Sequence, residues 1–184
     1  MSLFHVTPAT TLLVIDLQER LASAMDEAAM AHVTRQTCTL IELAKTFGAA
    51  TIASEQYPKG LGPTVAPVRA ALGEDATIVE KTRFDLTLAP SFEDFLPILG
   101  ARVVITGMEA HICVLTTARS LLARGHEVLV PFDAVISRQP AYRDNGLEQL
   151  RALGATIVNT ETIVFDTLRD AKHPEFKKFS KLIA

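Results

Sequence analysis

The sequence has few cysteines and no excess of basic side chains, and both shortages exclude classes of protein. Its 184 residues include only two cysteines, Cys38 and Cys113. Two cysteines cannot make a disulfide framework, so we expect a reducing compartment. The 18 basic side chains are outnumbered by 21 acidic ones, which gives a net charge of −3. That balance removes the electrostatic case for a nucleic-acid partner or a polybasic membrane contact.

Long apolar runs are also missing. The longest strongly apolar runs, such as Thr11–Ile15 and Val103–Ile105, fall far short of the roughly 20 residues that span a bilayer. Residues 1–9 lack the basic start and apolar stretch of a signal peptide. We therefore expect a cytoplasmic protein with no membrane partner, folded as one domain over residues 1–184.

Short apolar runs alternate with helical patterns along the chain. The predicted strands are Thr11–Leu17, Ala50–Ala53, Thr77–Glu80, Ala101–Thr106, Glu127–Val130 and Thr156–Val158. The predicted helices are Ala28–Phe47, Ser91–Leu99 with Ser91 as the cap, Ile112–Arg124 and Ala141–Leu153, and Gln56–Pro67 is predicted as a loop. Six apolar strands alternating with helices predict an α/β fold, a mostly parallel sheet covered on both faces.

Ligands of such sheets bind beyond the carboxyl ends of the strands, which directs attention to polar side chains there. Asp16 ends the first strand among apolar neighbours, where a carboxylate is costly unless it is paired or takes part in chemistry. Capping a neighbouring loop or helix is the alternative for Asp16. Lys81 directly follows the third strand and can hold a negative charge, or it can be a solvated surface residue.

Cys113 follows the fourth strand and opens a helix. The helix dipole and free N–H groups at that place favour a thiolate and can stabilise an oxyanion. The alternative is a small hydrophobe packed beneath the helix. We interpret Cys38, in the middle of a helix, as a core residue. We expect a structural or supporting role for His111. It lies two residues before Cys113, and residues two apart at a helix start need not face each other.

Motifs for metals and phosphates are absent. The sequence contains no HxH, HExxH or paired CxxC motif, and no GxGxxG or GxxxxGK[ST] phosphate loop. We therefore expect no metal and no cofactor.

Three strand-end segments carry a family resemblance: Asp16 in LLVIDLQ, Lys81 in VEKTRFD and Cys113 in VVITGMEAHICV. In this order they resemble the isochorismatase-like cysteine hydrolases, from about Thr10 to Ile163. The resemblance implies a Rossmann-like three-layer αβα sandwich with a six-stranded sheet in the order 3-2-1-4-5-6. Strands one and four would then end side by side at the switch point.

The resemblance also implies roles for individual residues. Cys113 would be the nucleophile, Asp16 would take its proton and later pass it to the leaving group, and Lys81 would hold both electrostatically. A cis peptide would join Met108 and Glu109. The backbone amides of Glu109 and Cys113 would form an oxyanion hole.

The segment after the second strand departs from one branch of this family. Nicotinamidases place an Asp and histidines there as metal ligands, whereas this chain has SEQYPKGLG. That departure favours the small, metal-independent isochorismatase-domain subgroup. Gln18, Gln56 and Tyr57 are candidate pocket residues for a small-molecule substrate.

The expected activity is cysteine-dependent hydrolysis of a small amide-like or acyl substrate, at a non-peptide C–N bond, through a thioester-type intermediate. Two alternatives stay open. One is a non-catalytic small-molecule-binding or scaffold protein that keeps the fold. The other is an acid-catalysed vinyl-ether hydrolase of the isochorismatase type.

The stretch after Pro174 predicts an amphipathic helix, with Phe176, Phe179, Leu182 and Ile183 along one face. This helix can dock on its own domain or form a subunit interface. The resemblance implies a homo-oligomer.

Overall fold

The computed structural model describes residues 4–183, so both ends of the predicted domain lie outside the described residues. The strands are β1 Thr10–Ile15, β2 Ala50–Gln56, β3 Thr77–Lys81, β4 Arg102–Met108, β5 Glu127–Pro131, β6 Val135–Ile136 and β7 Thr156–Val158. The α-helices are α1 Glu19–Ala22, α2 Glu27–Phe47, α3 Pro58–Leu61, α4 Ala66–Leu72, α5 Leu115–Ala123, α6 Pro140–Ala152, α7 Thr160–Leu168 and α8 Phe176–Ile183.

One open parallel sheet organises the described residues, in the order β3-β2-β1-β4-β5-β7, with the short β6 paired to β4. Its two faces bury separate cores. Leu12 and Val14 of β1 pack on the side of α2, while Leu13 and Ile15 pack on the side of α5. The continuous apolar run therefore becomes a strand covered on both faces, and the three-layer Rossmann-like fold is confirmed.

The strand count and one strand end differ from the prediction. The sheet of the described residues has seven strands rather than six, because Val135–Ile136 pairs with Gly107 and Met108 at the end of β4. A two-residue strand carries no periodic signal. The strand predicted as sixth is β7 and occupies the expected place in the order. β1 stops at Ile15 rather than Leu17, because Asp16 has a left-handed φ of 50°.

Several helical predictions also need correction. The predicted loop Gln56–Pro67 contains α3 and the start of α4. Ser91 makes no side-chain cap, and the segment after it is a 3₁₀-helix, Phe92–Ile98, with a proline inside it. Proline lacks the N–H that a regular α-helix requires there. The helix predicted from Ile112 begins as a π-helical turn, Ala110–Val114, and continues as α5.

Helix α8 packs against its own domain. Phe179 is fully buried, and its ring centroid lies 6.4 Å from that of Phe47 at the end of α2. Lys178 Nζ lies 2.5 Å from the Glu42 carboxylate. Of the two roles open from the sequence, docking on its own domain is the one that the fold displays, while Leu182 stays half-exposed.

Candidate active site

The sheet order brings the three strand-end residues together. Asp16 directly follows β1, Lys81 is the last residue of β3, and Cys113 lies in the π-helical turn after β4. β1 lies between β2 and β4, so its carboxyl end is the switch point at which the chain reverses its direction of winding. Residues 16, 81 and 113, distant in the sequence, thus meet at one edge of the sheet.

Asp16 and Lys81 form a buried ion pair. Lys81 Nζ lies 2.7 Å from Asp16 Oδ2, and neither side chain is exposed to solvent. Burying two charges is costly unless every remaining hydrogen-bonding position has a partner. Ser54 Oγ donates to Asp16 Oδ1 at 2.7 Å, and Lys81 Nζ also donates to Gln56 Oε1 at 2.8 Å. The pair is therefore held by neutral side chains as well as by its own attraction.

Cys113 is 6% exposed, and its thiol lies near enough to Asp16 and Lys81 for the charges of both to act on it. Burial raises the pKa of this thiol to about 12, and the negative charge of Asp16 adds to the rise while Lys81 opposes it. These effects act against the expectation that the helix start favours a thiolate, because desolvation and the nearby carboxylate outweigh the lysine.

The peptide bond between Met108 and Glu109 is cis, at the position that the family resemblance implies. The Glu109 carboxylate takes no part in the Asp16 pair. Its Oε2 accepts from the backbone N–H of Arg138 at 2.9 Å and lies 3.6 Å from the Arg138 guanidinium. The oxyanion-hole role of the Glu109 and Cys113 amides stays a prediction.

The three candidate pocket residues have different surroundings. Gln18 is fully buried, and its amide bonds to the backbone of Gln56 and Gly62 at 2.7–3.0 Å. It fastens the chain after β2, and its role as a pocket residue stays a prediction. Gln56 contacts Lys81. Tyr57 is 56% exposed and lines a cavity of about 350 Å³ next to Lys81.

His111 supports the turn that carries Cys113. Its Nδ1 lies 3.0 Å from Ser137 Oγ, and its ring packs against Tyr142 with the centroids 5.0 Å apart. Cys38 is partly buried in α2, with its thiol 3.7 Å from the Pro67 carbonyl oxygen. The surroundings of His111 and Cys38 thus agree with the supporting and packing roles expected of them.

Two positioning groups were missed by sequence reasoning. Ser54 contacts Asp16 directly, and its place two residues before Gln56 at the end of a buried strand was an available signal. The loop after β3 is tied to α5 by Asp85, whose carboxylate accepts from Ser120 Oγ, and by the Leu86 N–H, which donates to Thr117 Oγ1 at 3.0 Å. No local sequence pattern indicates such long-range contacts.

Among residues 4–183, no group of three or more His, Cys, Asp or Glu side chains is arranged to hold a metal ion. Within the same residues, none of the helices combines the length and apolar character that crossing a membrane requires.

Gly146 allows α6 to approach the turn before Cys113. A Cβ at this position would lie 2.9 Å from the Cα of His111 and 3.0 Å from its backbone nitrogen. We expect Gly146→Ala to lower the free energy of unfolding by about 1–3 kcal/mol, measured by urea denaturation. Ala in a helix without a contact would instead stabilise by up to about 1 kcal/mol, so a stabilised variant would contradict this packing. Glu148→Ala, on the exposed face of α6, is the control.

The open parallel sheet, with polar side chains gathered at its switch point, defines a Rossmann-like α/β protein. The chain belongs to the isochorismatase family. The family model described as the isochorismatase domain matches residues 10–162. Isochorismatase domain-containing protein 2 of Danio rerio is 35% identical over 180 residues, which cover 97% of this chain and 88% of that protein. Membership of this family supports a hydrolase role.

Solved structures show the same fold. A structure described as MAR1 ribonuclease from Caenorhabditis elegans has a TM-score of 0.87 and 37% identity, over 97% of this chain and 92% of that chain. The ycaC gene product of Escherichia coli is described as an octameric hydrolase of unknown specificity. It has a TM-score of 0.82 over 97% of this chain and 94% of its own, and at 19% identity it shows the fold alone.

Proposed function

We propose that the protein is a cysteine-dependent hydrolase of a small amide-like or acyl substrate. The observation that carries the proposal is the buried Cys113 thiol beside the buried Asp16–Lys81 ion pair. A nucleophile beside a base, with that base oriented by a third group, is the arrangement of covalent acyl-transfer catalysis. Family membership supports the hydrolase part of the proposal.

The first half-reaction forms a thioester. Sγ of Cys113 attacks the acyl carbon while its proton passes to Asp16. The backbone amides of Glu109 and Cys113 donate to the oxyanion of the tetrahedral intermediate. The C–N bond then breaks as Asp16 returns the proton to the leaving nitrogen. Lys81 keeps its charge throughout and stabilises whichever neighbour is negative.

The second half-reaction releases the acid. Water attacks the thioester carbon and gives a proton to Asp16, the C–S bond breaks, and the same proton returns to Sγ. The raised pKa of the Cys113 thiol, about 12, favours this scheme over attack by a preformed thiolate. The proton has to leave during the attack, and Asp16 is the carboxylate beside the thiol.

The central prediction is the loss of turnover in Cys113→Ala. With a panel of small amides and esters, we expect a decrease of at least about 10⁴-fold, as for removal of other catalytic nucleophiles. Released amine or acid is the measured quantity. An acid-quenched wild-type sample should carry one acyl group on Cys113 by intact mass and peptide mapping.

The controls separate this proposal from the alternatives. Cys38→Ala should keep wild-type turnover. Vinyl-ether hydrolysis by acid catalysis requires loss with Asp16→Asn and survival with Cys113→Ala. A binding or scaffold protein requires that neither variant alter the measurable activity. RNA belongs in the panel because of the ribonuclease description of one similar structure, and RNA cleavage that survives Cys113→Ala would contradict the proposal.

The proposal extends to the substrate class, the location, the domain organisation and the oligomeric state. We assign a small-molecule substrate, a cytoplasmic and reducing location in keeping with two free cysteines, and one domain spanning the chain. A homo-oligomer is also proposed, supported by the octamer described for a protein of the same fold. Light scattering of the purified protein tests the oligomeric state.

A further inference from the structure

Strand β2 lies between β1, which Asp16 directly follows, and β3, whose last residue is Lys81. Residues two apart on a strand point to the same face of the sheet. Ser54 and Gln56 are such a pair, and each contacts one member of the ion pair: Ser54 contacts Asp16, and Gln56 contacts Lys81. β2 thus supplies a neutral partner to each charge.

Ser54 holds Asp16 at two points. Its hydroxyl donates to Asp16 Oδ1 at 2.7 Å, and its backbone carbonyl accepts from the Asp16 N–H at 3.1 Å. The residue is 1% exposed, so water cannot replace the hydroxyl as a donor. The backbone contact persists in any substitution of Ser54, whereas the hydroxyl contact does not. The effect of the hydroxyl hydrogen bond can therefore be measured separately from that of the backbone hydrogen bond.

The two carboxylate oxygens of Asp16 have different partners. Oδ1 accepts from Ser54, while Oδ2 accepts from Lys81 at 2.7 Å. The titratable groups beside the carboxylate are Lys81, from β3, and Cys113, from the turn after β4. The carboxylates of Glu109 and Asp85 are engaged elsewhere, by Arg138 and Ser120. Ser54 is thus the neutral donor to the proposed base.

A donor to a carboxylate stabilises its ionised form, which is the form that can accept a proton. We propose that Ser54 is a positioning residue for the proton-transfer step, because its hydroxyl holds the Asp16 carboxylate in place beside Lys81 and the Cys113 thiol. This inference rests on the proposed function, in which Asp16 takes the thiol proton.

The test uses the alkylation of Cys113 by iodoacetamide, which needs no known substrate. In this reaction the Sγ–H bond breaks, the Sγ–C bond forms, iodide leaves, and the proton passes to Asp16. All proteins carry Cys38→Ala so that one thiol reacts. The rate constant is measured from pH 4 to 9 by intact mass, and we expect it to fall on the acid side as Asp16 becomes protonated.

Ser54→Ala should move the midpoint of this acid limb to higher pH by about one to two units, the size expected for a hydrogen bond to a charged group. The isosteric pair Ser54→Thr and Ser54→Val differs only in the hydroxyl and repeats the comparison at constant volume. Thr51→Val is the matched control, because it removes from the same strand a hydroxyl with no hydrogen-bond partner. Its midpoint should equal that of the parent.

Each contrary outcome has a distinct meaning. Equal midpoints for the parent and Ser54→Ala, or for the Thr and Val variants, would overturn the role of Ser54 and leave the proposed function standing. A parent protein with no acid limb, or one whose limb survives Asp16→Asn, would instead overturn Asp16 as the base. Melting temperatures establish that each variant is folded, and the Thr and Val pair decides the question if Ser54→Ala is not.

Discussion

Replacing Lys81 with methionine is expected to lower the free energy of unfolding by about 3–5 kcal/mol, the usual cost of removing one partner of a buried ion pair. Both side chains of the pair are fully buried, so the Asp16 carboxylate would lose its counter-charge while it stays shielded from bulk solvent. Urea denaturation measures the change. Lys59→Met, at an exposed position, is the matched control and should change the stability by less than about 0.5 kcal/mol.

The double variant Asp16→Asn/Lys81→Met sharpens this prediction. Asparagine tolerates the left-handed backbone of Asp16, where φ is 50°, and it removes the charge that Lys81→Met leaves unpaired. The double variant should therefore be more stable than Lys81→Met alone. If the losses in the free energy of unfolding of the two single variants instead add in the double variant, Asp16 and Lys81 are not coupled in the folded protein.

Gly107→Ala is expected to lower the free energy of unfolding by at least about 3 kcal/mol, from backbone strain and overpacking together. Gly107 has a φ of 116°, and a Cβ there would lie 1.9 Å from the carbonyl oxygen of Ile15. Ile15 belongs to β1 and directly precedes Asp16, so β1 and β4 would have to separate at the site itself. Thermal and urea denaturation measure the loss of stability. The rate of Cys113 alkylation reports the separation of β1 and β4 at the site.

Gly125→Ala is the control that separates the cost of backbone strain from the cost of a steric contact. Gly125 also has a positive φ, 86°, but an added Cβ would meet no atom within 4 Å. Its alanine variant should lose only about 1–2 kcal/mol, the cost of the backbone conformation. If Gly107→Ala costs no more than this control, the close approach of β1 and β4 does not restrict the residue at position 107.

The strands were largely predictable from their apolar pattern and their order from the family resemblance, whereas the short and irregular elements were not. Residues of β1 are apolar at successive positions because both faces of the sheet are covered, and this pattern can be read directly from the amino-acid sequence. β6 and the π-helical turn before α5 have no such pattern. Helix α7 was missed because its run of β-branched residues resembles a strand, and its helical form depends on packing against the sheet.

By itself, the sequence determined the class of fold and the identity of Asp16, Lys81 and Cys113 as the polar residues at strand ends, because strand periodicity and chain order are local properties. Only the tertiary structure shows which groups act on the Cys113 thiol. Burial and the charge of Asp16, which raise the pKa of Cys113 to about 12, arise from groups far apart in the chain. The same holds for Ser54 and Gln18, whose partners become neighbours only when β1, β2 and β3 pair.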